Sequence, residues 1–262
     1  MITPRLLVWT DGALGEAANG DVPEGELVVA DSWLLADGAA RGLELHRARF
    51  LEGVASATSI GADEATAFWH AAVTELPRTG DWFPRFDAIS TAGGDRLMLR
   101  IRTAPPLGAS VRVASLTGPD PRTRAAVKGP DLERLLAIRS EAAADGVDEP
   151  VILSSAGHIV DGVTSAVLWW RGDRLLAPSA SLPRVDSVTA KSLRLIASAT
   201  GTTTGEEFAS PSDLAGCEVW VVNALHGIRV VTSWSGGPAL ARNPRRAALW
   251  QRRLDALVRP LP

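Results

Sequence analysis

The chain has 262 residues, 46% hydrophobic and 22% charged, an ordinary globular composition that excludes a disordered tail, a collagen-like repeat and a coiled coil. Its net charge of −3, with no basic block, leaves no electrostatic footprint for nucleic acid. The longest apolar runs, such as Ala166–Trp170, reach five residues, far short of the roughly 20 that a membrane-spanning helix needs.

Apolar, β-prone runs come first, at Leu6–Trp9, Leu27–Ala30 and Trp33–Ala36. The last ends at Asp37-Gly38, a hairpin signal. A helix is predicted from about Glu44 to Ala57, with Leu43, His46, Phe50 and Val54 on its buried face. A second helix, capped by Asp63, carries Phe68, Trp69, Ala72, Val73 and Leu76 on one side, and Pro77 and Gly80 end it. Leu97–Arg102 reads as a strand. Two prolines and a glycine in Thr103–Gly108 then mark a domain boundary.

The second half opens on a strand at Val111–Ser115 and a polar loop. A helix is predicted from about Asp131 to Ala144, with Leu132, Leu135, Leu136 and Ile138/Arg139 in helical period and Gly146 as its stop. Strands follow at Val151–Ser154 and Ser165–Trp170, with a turn at Ala156-Gly157. The next helix, about Ala190 to Thr200, turns Leu193, Ile196 and Ala197 inward and stops at Gly201. Strands Glu218–Val222 and Ile228–Thr232 flank a loop at Asn223–Gly227. Asn243-Pro244 starts the last helix, with Ala247, Trp250, Leu254 and Leu257 on one face. Strands and helices without strict alternation point to an α+β fold.

The single cysteine, Cys217, excludes an internal disulfide. The four histidines, His46, His70, His158 and His226, stand apart without metal-ligand spacing, so no metal site is expected. Met1–Thr10 lacks the pattern of a signal peptide, and a cytoplasmic location is expected. There is no Tyr, and the only lysines are Lys128 and Lys191, against 25 arginines.

Several residues invite a chemical reading, each beside a plainer one. Lys128, next to Gly129 and just before a helix, can form a Schiff base in a desolvated pocket; a solvated loop lysine is the plain alternative. Lys191 lies opposite the apolar face of its helix and reads as a surface charge. Arg49 stands on the shoulder of its helix's buried face, either snorkelling or aimed at a phosphate or carboxylate. Ser187-Val188-Thr189 opens a helix, as an anion site or simply as a cap. Asp161, before Gly162, is alone a turn residue, and Asn223-Ala224-Leu225-His226-Gly227 alone a hairpin loop. Arg100 and Arg102 share one strand face, as a carboxylate site or as exposed charges.

Taken in order, these pieces resemble the fold-type IV pyridoxal-phosphate enzymes, the class IV aminotransferase family. The resemblance runs from about Val28 to Val231. It rests on Asp37-Gly38, Arg41-Gly42-Leu43 and His46–Phe50, then Val127–Arg134, Asp148–Leu153, Gly157–Ser165, Ser187-Val188-Thr189 and Asn223–Ile228. It implies pyridoxal 5'-phosphate as cofactor, and a two-domain α+β architecture like that of the D-amino acid aminotransferases. The expected division is a smaller N-terminal domain over residues 1–104 and a larger pseudo-barrel domain over 110–262 that carries the lysine. By resemblance, Lys128 matches the Schiff-base lysine. Arg49, with Val188 and Thr189, matches the cofactor-phosphate ligands, and Asn223-Ala224 the second loop near that phosphate. Asp161 falls where the family usually pairs a Glu with the pyridine nitrogen. Ala166 departs from a common Asn, and Ser187 and Ala190 from a common Gly and Arg.

The resemblance implies an enzyme acting on a small amino-group-bearing substrate, and a homodimer. Chain length, Leu132-Glu133-Arg134 and Asn223-Ala224-Leu225 favour 4-amino-4-deoxychorismate lyase, forming 4-aminobenzoate and pyruvate in folate biosynthesis. A class IV aminotransferase of branched-chain or D-amino acid type is the alternative. A degenerate, non-catalytic relative that binds the cofactor is the third reading.

Overall fold

The computed structural model describes residues 5–17 and 23–262. The start of the expected first domain and of the Met1–Thr10 reading therefore falls outside the described residues. Helices accompany separate sheets without strict strand–helix alternation, so the fold is α+β as expected.

Two compact units divide the chain. The first holds the residues up to Pro106, Val127–Pro130 and Leu257–Pro262; the second holds Leu107–Ala126 and Asp131–Ala256. The first begins with β1 (Arg5–Thr10), β2 (Ala13–Glu16), β3 (Glu26–Ser32), β4 (Leu35–Ala36) and β5 (Ala39–Arg41). It continues with α1 (Leu43–Ala57), α2 (Ala62–Thr74), β6 (Asp81–Trp82), β7 (Arg85–Thr91) and β8 (Gly94–Ile101). A five-stranded sheet runs β2-β1-β8-β7-β3, all antiparallel.

Against this sheet α1 buries His46, Phe50 and Val54, and α2 buries Ala65, Phe68, Trp69, Ala72 and Val73, the stripes that the sequence period predicts. Phe50, Phe68, Trp69 and Phe86 meet with ring centroids 4.7–6.0 Å apart, a packing that gains both apolar burial and edge-to-face attraction. Helix α2 is capped by Gly61 instead of Asp63, which lies in the first turn, where its charge favours the helix dipole. Only Leu35–Ala36 of the expected Trp33–Ala36 strand pairs. Both Asp37 and Gly38 have positive φ, 46° and 70°, as a tight hairpin turn requires.

The sequence pattern passes over β7. Asp87 interrupts its apolar run, yet it is fully buried, accepting from Arg100 Nε at 2.7 Å and Arg85 Nη2 at 2.9 Å. Buried charge pairing of this kind leaves no mark on hydrophobic period.

The second unit contains β9 (Ser110–Ser115), α3 (Leu132–Ala144), β10 (Glu149–Leu153), β11 (Ile159–Gly162), β12 (Ala166–Arg171) and β13 (Arg174–Pro178). Then come α4 (Val188–Ala199), β14 (Thr204–Glu207), β15 (Glu218–Asn223), β16 (Gly227–Ser235) and α5 (Pro244–Asp255). Its eight-stranded sheet is ordered β11-β10-β9-β16-β15-β12-β13-β14 and is mixed, with β9 parallel to both β10 and β16. The core of this sheet gathers Val111, Val113, Val151, Ile159, Val167, Trp169, Val219, Val221 and Val231.

The stripe expected on α3 is weaker than its period suggests. No residue of α3 is fully buried, and Leu136 is 44% exposed. From this helix Leu135 and Ile138 lie against Ile152, Val160 and Val163, beside Leu116 and Leu182. Helix α4 starts two residues before the expected Ala190, because Ser187 caps it by accepting from Ala190 N.

The polypeptide returns to the first unit at both Val127–Pro130 and β17 (Val258–Pro260), which pairs with β5. A division at residues 104–110 puts Lys128 in the C-terminal domain; in the structure its segment lies with the first unit. The cause is local. Gly129, at φ 141°, packs so close to β3 that an added Cβ would lie 2.7 Å from the backbone of Val29 and Ala30, and Ala30 N donates to the Lys128 carbonyl at 2.7 Å. No helix among the described residues is long and apolar enough to cross a membrane.

Candidate active site

In the first unit, β3 and α1 bring three side chains together. Asp31, at the end of β3, is fully buried. Arg49 donates to it from Nε and Nη2, both at 2.8 Å, and His46 Nδ1 lies 2.8 Å from Oδ1. The helical spacing of His46 and Arg49 turns both towards the strand. Burial works against the Asp31 charge, but Arg49 and His46 hold its carboxyl well below the usual range. Burial lowers the His46 pKa, outweighing Asp31, with the Arg49 and Lys128 cations adding to the fall. His46 is thus a neutral ring that orients Asp31.

Arg49 is locked by a two-point fork, the geometry that distinguishes Arg from Lys. Arg47 points elsewhere, with Glu44 3.8 Å away. The backbone bond from Ala30 sets Lys128 beside the residue that precedes Asp31. Lys191 is a partly exposed side chain paired with Asp186. Arg100 is held by Asp87, and Arg102 Nε donates to the Phe83 carbonyl at 3.2 Å. Neither is the bare strand charge of the plain reading.

In the second unit, Asp161 lies on β11 and is buried. Arg122 Nη1 is 3.7 Å from its Oδ2, whereas Oδ1 has no hydrogen-bond partner among the described residues. Burial pushes this carboxyl up to about 8; Arg122 and Arg184 oppose the rise and Glu149 adds to it. Val188 and Thr189 open α4 and are both buried; as first-turn residues at the positive end of the helix, their N–H groups lack intrahelical acceptors.

Asn223, at the end of β15, accepts from the N–H groups of Leu225 and His226 and donates from Nδ2 to Ser165 Oγ at 3.1 Å. Ala224 lies within the turn that Asn223 closes. Arg229 Nη2 donates to the same Ser165 hydroxyl at 2.9 Å and to Glu149 Oε2 at 3.1 Å. Glu149 also accepts from Thr164. The β10–β11 edge and the 223–227 turn are thereby tied by one buried polar network, adjacent to Ala166, where the resemblance leads one to look for an Asn. His226 Nδ1 accepts from Gly108 N at 3.2 Å. Burial lowers its pKa to about 4, helped by Arg229 and Arg139, so it keeps that acceptor at neutral pH.

Sequence reasoning missed Asp31, Arg122, Glu149, Ser165 and Arg229. A carboxylate directly after the apolar run Leu27–Ala30 was the available signal for Asp31. For the others the pairing exists only in three dimensions.

A family model described as amino-transferase class IV matches residues 28–234. The chain belongs to the class IV aminotransferase family. Its members are pyridoxal-phosphate-dependent enzymes, and the same fold recurs among solved structures. A branched-chain aminotransferase from the archaeon Thermoproteus uzoniensis aligns over 98% of this chain and 100% of its own, at 18% identity and TM-score 0.80. A hypothetical aminotransferase from Mycobacterium tuberculosis, in an alpha-ketoglutarate- and PMP-bound form, aligns over 96% and 98%, at 20% identity and TM-score 0.80. A putative 4-amino-4-deoxychorismate lyase from Legionella pneumophila aligns over 88% and 91%, at 14% identity and TM-score 0.72. No curated protein sequence matches the chain significantly.

The residues present suit the family's cofactor. Asp161 offers a buried oxygen lacking a donor, which a protonated ring nitrogen would satisfy. The start of α4 offers backbone N–H groups for a phosphate.

Proposed function

We propose that this class IV family member uses Lys128 to hold pyridoxal phosphate and acts on a small amino-group-bearing substrate, most specifically as a 4-amino-4-deoxychorismate lyase. The observation that carries the cofactor assignment is the unpartnered, buried Oδ1 of Asp161, an acceptor built into a strand with no donor of its own. When bound, the cofactor supplies an electron sink for the substrate carbon that bears the amino group. Lys128 would anchor it through the ε-amino group. Once displaced by the incoming amine, the same nitrogen would move a proton at the reacting carbon. By resemblance to the family, Arg49 would be a phosphate ligand, as would the Val188 and Thr189 N–H groups, and Asn223-Ala224 would be the family's second loop. Asp161 would accept from the ring nitrogen and keep its proton in place.

The lyase reading rests on Leu132-Glu133-Arg134 and Asn223-Ala224-Leu225. Chain length does not discriminate, since the archaeal branched-chain aminotransferase is covered in full. The second reading is transamination of an amino acid. Incubation with aminodeoxychorismate and no keto acid separates the two. Formation of 4-aminobenzoate and pyruvate supports the lyase. Turnover only when an amino acid and a keto acid are supplied together refutes it in favour of transamination. No turnover in either assay, with cofactor bound, identifies a non-catalytic relative. A homodimer in the cytoplasm accompanies this proposal, and sedimentation of the purified protein tests the dimer.

A further inference from the structure

We propose that Arg122 is a positioning residue that turns Asp161 so that one carboxylate oxygen faces a fixed cation and the other is presented to the ring nitrogen of the cofactor. This rests on the proposed pairing of Asp161 with that nitrogen.

Arg122 lies on the polar loop between β9 and α3, yet its side chain is only 3% exposed. A loop arginine buried to this degree needs compensation, because removing a guanidinium from water is costly. Asp120 supplies it. Arg122 donates to Asp120 from Nε at 2.9 Å, from Nη2 at 2.7 Å and from its backbone N at 3.0 Å, and Nη2 also reaches the Pro183 carbonyl at 3.2 Å. The guanidinium is therefore clamped along one edge, and Nη1 is the nitrogen left facing Asp161.

The contact with Asp161 is different in kind. At 3.7 Å the guanidinium faces the carboxyl but is too far for a hydrogen bond. A pair built for stability alone would close to the two-point geometry that Arg122 makes with Asp120. Here the cation biases the carboxylate without occupying its second oxygen, and Oδ1 stays unmatched. The other charges acting on Asp161 do not share this role. Arg184 spends its donors on the carbonyls of Pro178, Ser179 and Leu182, and Glu149 is engaged by Arg229 and Thr164. Arg122 is thus the cation whose placement sets both the orientation of Asp161 and the ease with which it ionises.

The test is a titration of the Asp161 carboxyl in the full chain by carbon NMR with labelled aspartate, together with a measurement of pyridoxal-phosphate affinity. Arg122→Met is expected to raise the Asp161 midpoint by about one unit or more and to weaken cofactor binding about tenfold, with Arg122→Lys restoring most of both. Asp120→Asn keeps the Arg122 charge but loosens its clamp, and is expected to raise the midpoint less than Arg122→Met. An Asp161 midpoint unchanged in Arg122→Met overturns the proposal; should that variant fail to fold, an unchanged midpoint in Asp120→Asn does so. Asp161→Asn separates this failure from that of the underlying assignment. If it leaves cofactor affinity and visible spectrum unchanged, Asp161 does not meet the ring nitrogen, whatever Arg122 does to its titration.

Discussion

Asp161→Asn has a consequence for the cofactor-free protein that can be worked out from burial alone. The carboxyl is pushed up to about 8 in the folded chain, against an ordinary value of 3.8. Below the lower value both the folded and unfolded chains hold the proton, and Asp161 makes no pH-dependent contribution. As pH rises from there, the unfolded chain releases the proton first and gains stability. The folded protein therefore loses stability until pH passes about 8, and nothing further is lost above that. Each unit is worth about 1.4 kcal/mol, so the four-unit window sets a ceiling of about 6 kcal/mol. Local opening and water entry bring the expected loss down to about 2–3 kcal/mol. Asparagine cannot ionise and escapes this loss. Urea unfolding of both proteins without cofactor, at pH values from 4 to 8.5, measures the difference, in which all other titrating groups cancel. The variant should gain on the wild type steadily across the window. Parallel stability curves would refute the burial argument and the orphaned oxygen with it.

Arg49→Ala should weaken pyridoxal-phosphate affinity at least tenfold, whereas Arg47→Ala should change it less than twofold; equal losses by fluorescence titration would remove Arg49 from the site. The same Arg49→Ala variant should cost about 3 kcal/mol in unfolding free energy, because Asp31 is left as a buried charge without its fork. Phe50→Ala should cost about 3–5 kcal/mol, since the ring is fully buried among Phe68, Trp69 and Phe86. A cost below about 1 kcal/mol in denaturant unfolding would mean that this aromatic cluster does not hold the first unit together.

What could be read from the sequence was the part governed by local period and turn chemistry. The faces of α1, α2 and α4, the Asp37-Gly38 turn and the Asn243-Pro244 start of α5 follow from residue spacing and backbone preference. Strand β7 was not legible, because its centre is a charged residue neutralised by arginines on its own strand and on β8. The environment of Arg49 was half legible. Helical spacing placed it beside His46, but the Asp31 that locks it is far away in sequence. Asp161 was legible only through family resemblance; its buried, one-sided contact with Arg122 depends on how a loop folds over β11. Lys128 was picked out by rarity and by Gly129. That its segment belongs with β3 depended on a backbone approach that composition does not encode.

The central claim is that Lys128 carries the cofactor, and borohydride reduction of the pyridoxal-phosphate-loaded protein followed by peptide mapping tests it most directly. Lys191 is the other lysine in the chain, and it is paired with Asp186 on a partly exposed helix face. The reduced cofactor should therefore appear on the peptide containing Lys128, and Lys128→Ala should abolish the labelling while Lys191→Ala leaves it intact. A reduced cofactor found on Lys191 or on the N-terminal amine, with Lys128 unmodified, would contradict the account.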